Sequence, residues 1–301
     1  MCGIIGLYLK NDGFKQQLGA LFTPMLIDMT KRGPDSAGIA IYRDPAPAGS
    51  HKITAFHPDP AYDWSRLAEV LKDQCDAACE VRKNGSHAVI VTEAPPEAAI
   101  RALEAAEPEL QVMSYGDAIE IYKEAGLPGD VARRFGIDAM AGSHMIGHTR
   151  MATESAVTTA GSHPFSTGSD LCLVHNGSLS NHNRLRDHLR DHKGMVIRTE
   201  NDTEVGAAYI ASRLQDGRTL HQAFEDCLDA LDGFYTFVAG TRDGFAVLRD
   251  PIACKPAVLA ETDDYVAFAS EYHALADLPG IERAEVWEPE PATVYSWGGS
   301  A

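Results

Sequence analysis

No run of about eighteen apolar residues occurs in this 301-residue chain, and no basic stretch followed by an apolar core opens it. Neither a membrane-spanning helix nor a secretion signal is expected, and the cytoplasm is the expected compartment. Basic residues are scarce: 26 Lys and Arg face 43 Asp and Glu, a formal net charge of −17. A phosphate backbone needs a basic face, so composition argues against a nucleic-acid partner, and the acidity serves solubility. The six cysteines, at 2, 75, 79, 172, 227 and 254, include no Cys-x-x-Cys pair and no disulfide or zinc-knuckle spacing. Reduced thiols in a reducing compartment fit that pattern. Internal repeats and low-complexity segments are also missing.

What is present is a hydrophobic share of 45%, enough to bury a sizeable core as one large domain or one domain with an insertion. The chain opens Met1-Cys2-Gly3-Ile4-Ile5-Gly6. Cys2 is small, which favours removal of Met1, and removal would put a thiol and a free α-amine on one residue. An α-amine titrates near ~7.7 and a thiol near ~8.5, so the amine can accept the thiol proton at neutral pH without a distant histidine. A cysteine near a start codon is also an ordinary small residue opening a strand. Cys2 to Leu9 reads as such a strand, and its glycines at 3 and 6 fit close approach by a ligand or another backbone.

Asp12 can cap a helix in which Phe14, Leu18, Phe22, Met25 and Met29 recur at helical spacing, bent at Pro24 and closed by Gly33. Arg32 to Gly38 is turn-rich, and 39 to 42 returns to strand. The linker-like stretch 44 to 49 then opens a separate rhythm: strand 51–57, helix 63–79, strand 87–92, helix 96–106, strand 110–115 and helix 117–124. Residues 44–140 read as a small inserted α/β unit. Beyond it come strands near 143–149, 171–175, 233–240, 245–249, 256–260 and 265–269, with helices near 179–191, 202–215 and 219–230. Strand runs with grouped helices predict an α+β layered sandwich with largely antiparallel sheets.

Cleaving an amide with a terminal thiol needs donors for a tetrahedral oxyanion, and Val174-His175-Asn176-Gly177 offers the Asn176 amide and the Gly177 N–H. Asn-Gly is equally a common turn. A substrate carboxylate needs a cation, and Arg150 in Gly147 to Thr153 stands just past a predicted strand, though a lone arginine often forms only a surface ion pair. A substrate ammonium needs an anion, and Glu200 to Glu204 supplies several, although Asn201 or Asp202 is also what a helix N-cap should be. His188 and His192, four apart on a predicted helix, lack a third ligand and read as a solvated charged face, so no metal is expected. Cys75 and Cys79 read as partly buried.

Cys2, Arg32 to Gly38, Gly147 to Thr153, His163-Pro164, His175-Asn176-Gly177 and Asp202-Thr203-Glu204 arrive in an order that resembles the class II glutamine amidotransferases over about 1–43 and 143–277. The resemblance implies a four-layered αββα sandwich of the N-terminal-nucleophile (Ntn) hydrolases. It divides the chain into a discontinuous amidotransferase domain, 2–43 and 141–301, around the insertion. It also implies that Cys2 attacks the glutamine amide through a thioester, and that Asn176 and Gly177 form the oxyanion hole. Arg150, helped by Thr153, would hold the α-carboxylate and Asp202 the α-ammonium. Arg32 would support the terminal cysteine, and His163 would stand near the site. The stretches 249–256 and 268–271 resemble family strands that back the sheet.

Two departures touch specificity: Met151 stands where many relatives carry Trp, and Glu154 where some carry His. The full length resembles the small amidotransferase-like subunits of glutamate-synthase-type complexes, those of N-methylglutamate synthase among them. That likeness implies a glutaminase whose ammonia or amine passes to a separate synthase subunit in a hetero-oligomer. Nothing after residue 277 is long enough for a synthase domain, which fits that expectation. No cofactor is expected in this chain, and any flavin or iron–sulfur group belongs to the partner. Two other readings stay open: hydrolysis of another γ-glutamyl amide such as γ-glutamylmethylamide, and a non-catalytic glutamine-sensing or assembly subunit.

Overall fold

Alternation along the first strand, Gly3–Leu9, sets the layering in a computed structural model that describes residues 2–152 and 157–299. Ile5, Leu7 and Leu9 point to one side and join a cluster with Leu18, Phe22, Met25 and Leu26 of the helix Leu18–Asp28. Ile4 points to the other side and packs with Val174, Val238, Phe245 and Val247, which belong to a second sheet. A strand buried on both faces reads as a nearly continuous apolar run, as this one does.

The first sheet has seven strands in the order Glu285–Trp287, Val258–Glu261, Tyr265–Ala269, Gly3–Leu9, His144–Arg150, Ser36–Tyr42 and Ile119–Ala125. The second has four, in the order Val294–Gly298, Gly244–Arg249, Gly233–Thr241 and Cys172–Leu179. Neighbouring strands within both sheets are antiparallel. Helices Leu18–Asp28 and Pro128–Phe135 cover the first sheet, and Asp202–Gln215 and Leu220–Ala230 cover the second through Val205, Ile210, Phe224 and Phe237. The result is the four-layered αββα sandwich. No helix among the described residues is long and apolar enough to cross a membrane.

Local signals placed most elements. The helix Asp202–Gln215 begins on Asn201, whose Oδ1 accepts from the Thr203 N–H at 2.9 Å. Leu220–Ala230 begins on a reciprocal Thr219–Gln222 capping box. The helix expected from Asp12 is instead a 3₁₀ turn, Asp12–Gln17, capped by Asn11, then Leu18–Asp28 and a second 3₁₀ turn, Met29–Lys31. The helix expected over 63–79 is shorter, Arg66–Cys75; Asp76 closes it in the left-handed region at φ 50°, and Cys79–Asn84 is a strand.

The insertion is a four-stranded antiparallel sheet, Cys79–Asn84, His87–Thr92, His51–Phe56 and Gln111–Gly116, covered by helices Arg66–Cys75 and Pro96–Ala106. Its C-terminal limit differs from the expected 140, and the helix expected over 117–124 is the strand Ile119–Ala125. That strand pairs along its length with Ser36–Tyr42 at the edge of the seven-stranded sheet. Ile119 and Ile121 are buried between the sheets and Tyr122 in the core cluster on the other face, so the segment is a strand buried on both sides. The helix Pro128–Phe135 likewise packs in the core cluster.

Asp170 marks the point of return. Its carboxylate accepts from the backbone N–H groups of Asp117, Ala118 and Ile119 at 2.8, 2.8 and 3.0 Å, while its own backbone sits at φ 49°. Asp170→Ala removes three charge-assisted bonds at a buried site and should lower the unfolding free energy in urea by about 3 kcal/mol. A loss below about 1 kcal/mol would show that this carboxylate does not hold the returning strand.

Candidate active site around Cys2

Sheet pairing on the first strand begins at Gly3, opposite Thr149, so Cys2 projects beyond the ladder and side chains must fix it. Its carbonyl oxygen accepts from Arg32 Nε at 2.9 Å and from Asn176 Nδ2 at 3.2 Å. Arg32 is buried and pairs through Nη1 with Glu271 Oε1 at 2.5 Å. Next to Glu271, Ser270 accepts the Ile4 N–H on Oγ at 2.9 Å and returns its own N–H to the Ile4 carbonyl. The start of the strand is thereby clamped from the helix end on one side and from the strand Tyr265–Ala269 on the other.

Asn176 and Gly177 do not form a turn. The strand Cys172–Leu179 runs past them, with Asn176 opposite Thr236 and Gly177 opposite Tyr235. Gly177 is required there: its φ is 150°, and a β-carbon would lie 1.9 Å from the Phe234 carbonyl oxygen. Asn176 is buried, with its amide already directed at Cys2.

The Arg32–Gly38 turn also shapes the opposite wall. Asp35 donates its N–H to the Arg150 carbonyl at 3.0 Å, and its Oδ2 accepts from the Ala152 N–H at 2.7 Å. This pins the chain on both sides of Arg150, the buried last residue of His144–Arg150. Thr153 and Glu154 lie outside the described residues.

Because Asn201 caps the helix, the Asp202 side chain is left to face the cavity. Its Oδ2 accepts from the Leu179 N–H at 2.9 Å, and Oδ1 lies 3.7 Å from His175 Nδ1. Burial pushes the carboxyl up, but the hydrogen bond and charge of His175 and the Leu179 N–H outweigh it and hold the group at about 2. Asp202 is an anion at neutral pH.

Behind this wall His163 Nε2 and His175 Nδ1 both contact Thr203 Oγ1, at 2.8 and 3.0 Å. The His148 ring stacks on His163 at 3.9 Å between centroids. Burial holds His148 down at about 3 and His163 well below its ordinary value, so both are neutral. A buried neutral imidazole carries no charge into the site. Cys2, Arg150, Asn176, Gly177 and Asp202 all line one open cavity of about 520 Å³, with Met151 and Lys255 also on its wall. The described residues singled out from sequence thus meet, except that Arg32 lies beneath Cys2, and Thr153 is outside the described residues. Glu271, Thr203 and Asp35 were not singled out for a role; each acts through a partner distant in the chain, which leaves no signal in sequence.

The cavity offers a guanidinium, a carboxylate and a thiol-bearing N-terminal region, a set suited to an α-amino acid with a reactive side chain. No group of three or more His, Cys, Asp or Glu among the described residues could hold a metal ion.

A family model described as glutamine amidotransferase domain matches residues 148–277. The glutamine amidotransferase-like protein GlxB of Rhizobium meliloti (strain 1021) is 57% identical over 298 residues, 99% of this chain and 98% of that protein. An amidophosphoribosyltransferase of Archaeoglobus fulgidus is 29% identical over 62% of this chain and 41% of its own length. Among solved structures, glutamine phosphoribosylpyrophosphate amidotransferase from B. subtilis aligns with a TM-score of 0.62 at 19% identity over 99% of this chain. This chain spans 47% of that structure, and at such identity the likeness speaks for the fold alone. Full-length identity to GlxB, the matched domain and the αββα sandwich together make this chain a member of the class II glutamine amidotransferases.

Proposed function

We propose that this chain is the amide-cleaving subunit of a divided synthase, with Cys2 as nucleophile once Met1 is removed. The observation that carries this reading is the shared grip of Arg32 and Asn176 on the Cys2 carbonyl, at the edge of a cavity walled by Arg150 and Asp202. Arg150, with Thr153, binds the α-carboxylate of glutamine through a bidentate fork, and Asp202 binds the α-ammonium. Arg32 and His163 position these groups.

In this reading the α-amine of Cys2 takes the thiol proton, and the sulfur attacks the side-chain carbonyl carbon. The oxyanion forms between the Asn176 amide and the Gly177 N–H. The C–N bond breaks as the ammonium returns the proton to the departing nitrogen, leaving a γ-glutamyl thioester. Water then adds to the thioester carbonyl carbon, giving its proton to the same amine, and as the C–S bond breaks the ammonium returns that proton to sulfur and glutamate leaves. The liberated ammonia or methylamine passes to a separate synthase subunit, and any flavin or iron–sulfur group belongs to that subunit. The assembly is of the N-methylglutamate synthase or glutamate-synthase type. Met151 on the cavity wall supports a second reading, in which the substrate is γ-glutamylmethylamide.

Glutamine hydrolysis, assayed alone and with the co-purified partner, should fall to background in Cys2→Ala. Asn176→Ala should lower kcat by roughly 10²- to 10³-fold with little change in KM. Undiminished hydrolysis by Cys2→Ala sinks the mechanism. Comparison of kcat/KM for glutamine and γ-glutamylmethylamide separates the two substrates, a clear preference for glutamine being expected. Asp202 is depressed from 3.8 to about 2, so its contribution to stability is complete above its ordinary value and is lost as pH falls through the folded one. Asp202→Asn should therefore cost about 2 kcal/mol at neutral pH and nothing once both forms are protonated, read by denaturant titration across pH. A difference that persists at the acid end would contradict the assignment of that charge.

A further inference from the structure

The segment 160–164, which backs the cavity, is held from behind by the strand that closes the insertion. Lys123 on Ile119–Ala125 is buried, and its ammonium donates to the carbonyls of Ala160, Ser162 and Pro164 at 3.2, 2.7 and 3.1 Å. Three carbonyls satisfy all three donors of an ammonium. The Phe165 ring lies 4.6 Å from Nζ on a further side. Burial pushes the group down to about 7, and Glu204 draws it back up. Burying a cation carries a desolvation cost that a packed apolar side chain would avoid, which directs attention to what the cation holds.

That segment touches both halves of the site. Gly161 stands beside Arg150: a β-carbon there would lie 3.8 Å from Nη1. His163 reaches Thr203 Oγ1, which is 3.5 Å from Asp202 Oδ1. Gly38 brings the parts into direct contact, since a β-carbon there would meet the His163 carbonyl oxygen at 2.2 Å and Lys123 Cβ at 2.5 Å. Next along the strand, Glu124 accepts from Thr159 Oγ1 at 2.8 Å and from Ser86 Oγ at 2.7 Å, the latter on the hairpin of the inserted sheet.

We infer that Lys123 is a positioning residue for amino-acid binding: by tethering segment 160–164 it sets the Arg150 guanidinium and the Asp202 carboxylate at the separation an α-amino acid requires. The inference rests on the proposed glutamine site. It assigns to the strand that ends the insertion a direct hand in the geometry of the cavity.

The test compares Lys123→Met with the unaltered chain in two labelling reactions of Cys2, followed by intact mass. A diazoketone analogue of glutamine must engage both charged groups before it reaches the thiol, whereas iodoacetamide needs only an accessible thiol. The diazoketone rate should fall by about tenfold or more while the iodoacetamide rate stays within about twofold. Calorimetric glutamine affinity of the Cys2→Ala protein should fall by about tenfold when Lys123→Met is added. Equal slowing with both reagents, or an unchanged affinity, overturns the inference. If Lys123→Met does not fold, Lys123→Gln, which keeps two donors, is read by the same contrast. An unaltered chain that binds glutamine without reacting with the diazoketone counts against the thioester chemistry alone, and the affinity comparison still decides Lys123. An unaltered chain that does not bind glutamine overturns both.

Discussion

The hydrogen bonds to one carbonyl oxygen, that of Cys2, organise the rest of the site. A strand end beyond its ladder has no backbone partner to aim it, and here the aim comes from two side chains, Arg32 and Asn176. Arg32 depends in turn on Glu271, and Asn176 on a strand whose next residue must be glycine. Elements from the beginning, middle and end of the chain therefore converge on one residue. Both donors sit in buried surroundings, so the position of Cys2 at the cavity edge is fixed by the fold itself.

Charge in the cavity is placed with the same dependence on buried neighbours. His148 and His163 behind it are held neutral by burial, and Thr203 joins His163 to His175 through a single hydroxyl. Asp202 keeps its charge despite burial because His175 and the Leu179 N–H compensate it. An anion on one wall and the Arg150 guanidinium on another suit a zwitterion better than a simple acid or amine. The neutral imidazoles add no competing charge behind that pair.

The insertion is joined to this arrangement more closely than an appended unit would be. Its closing strand is the edge of the seven-stranded sheet, and Asp170 binds the first three N–H groups of the return. From that strand Lys123 and Glu124 reach the segment beside Arg150 and the hairpin of the inserted sheet. The inserted sheet is thus joined by a short run of hydrogen bonds to the segment behind the cavity.

Much of this was legible in the chain itself. Apolar periodicity located the helices Asp202–Gln215 and Leu220–Ala230 and the strands around Cys2, because helix and strand periods are local properties. The residue types at 2, 150, 176, 177 and 202 likewise declared what chemistry they could do. Sequence could not decide between Asn201 and Asp202 as the cap or between turn and strand for Asn176-Gly177, and it pointed to a helix over 117–124 where a strand forms. Each of those choices depends on a partner far along the chain: Leu179 for Asp202, Phe234 and Tyr235 for Gly177, and Ser36–Tyr42 for Ile119–Ala125. Short-range patterns determined the elements and the reactive groups, whereas only the folded chain decided which groups face one cavity, because a hydrogen bond between residues 174 apart leaves no periodic trace in sequence.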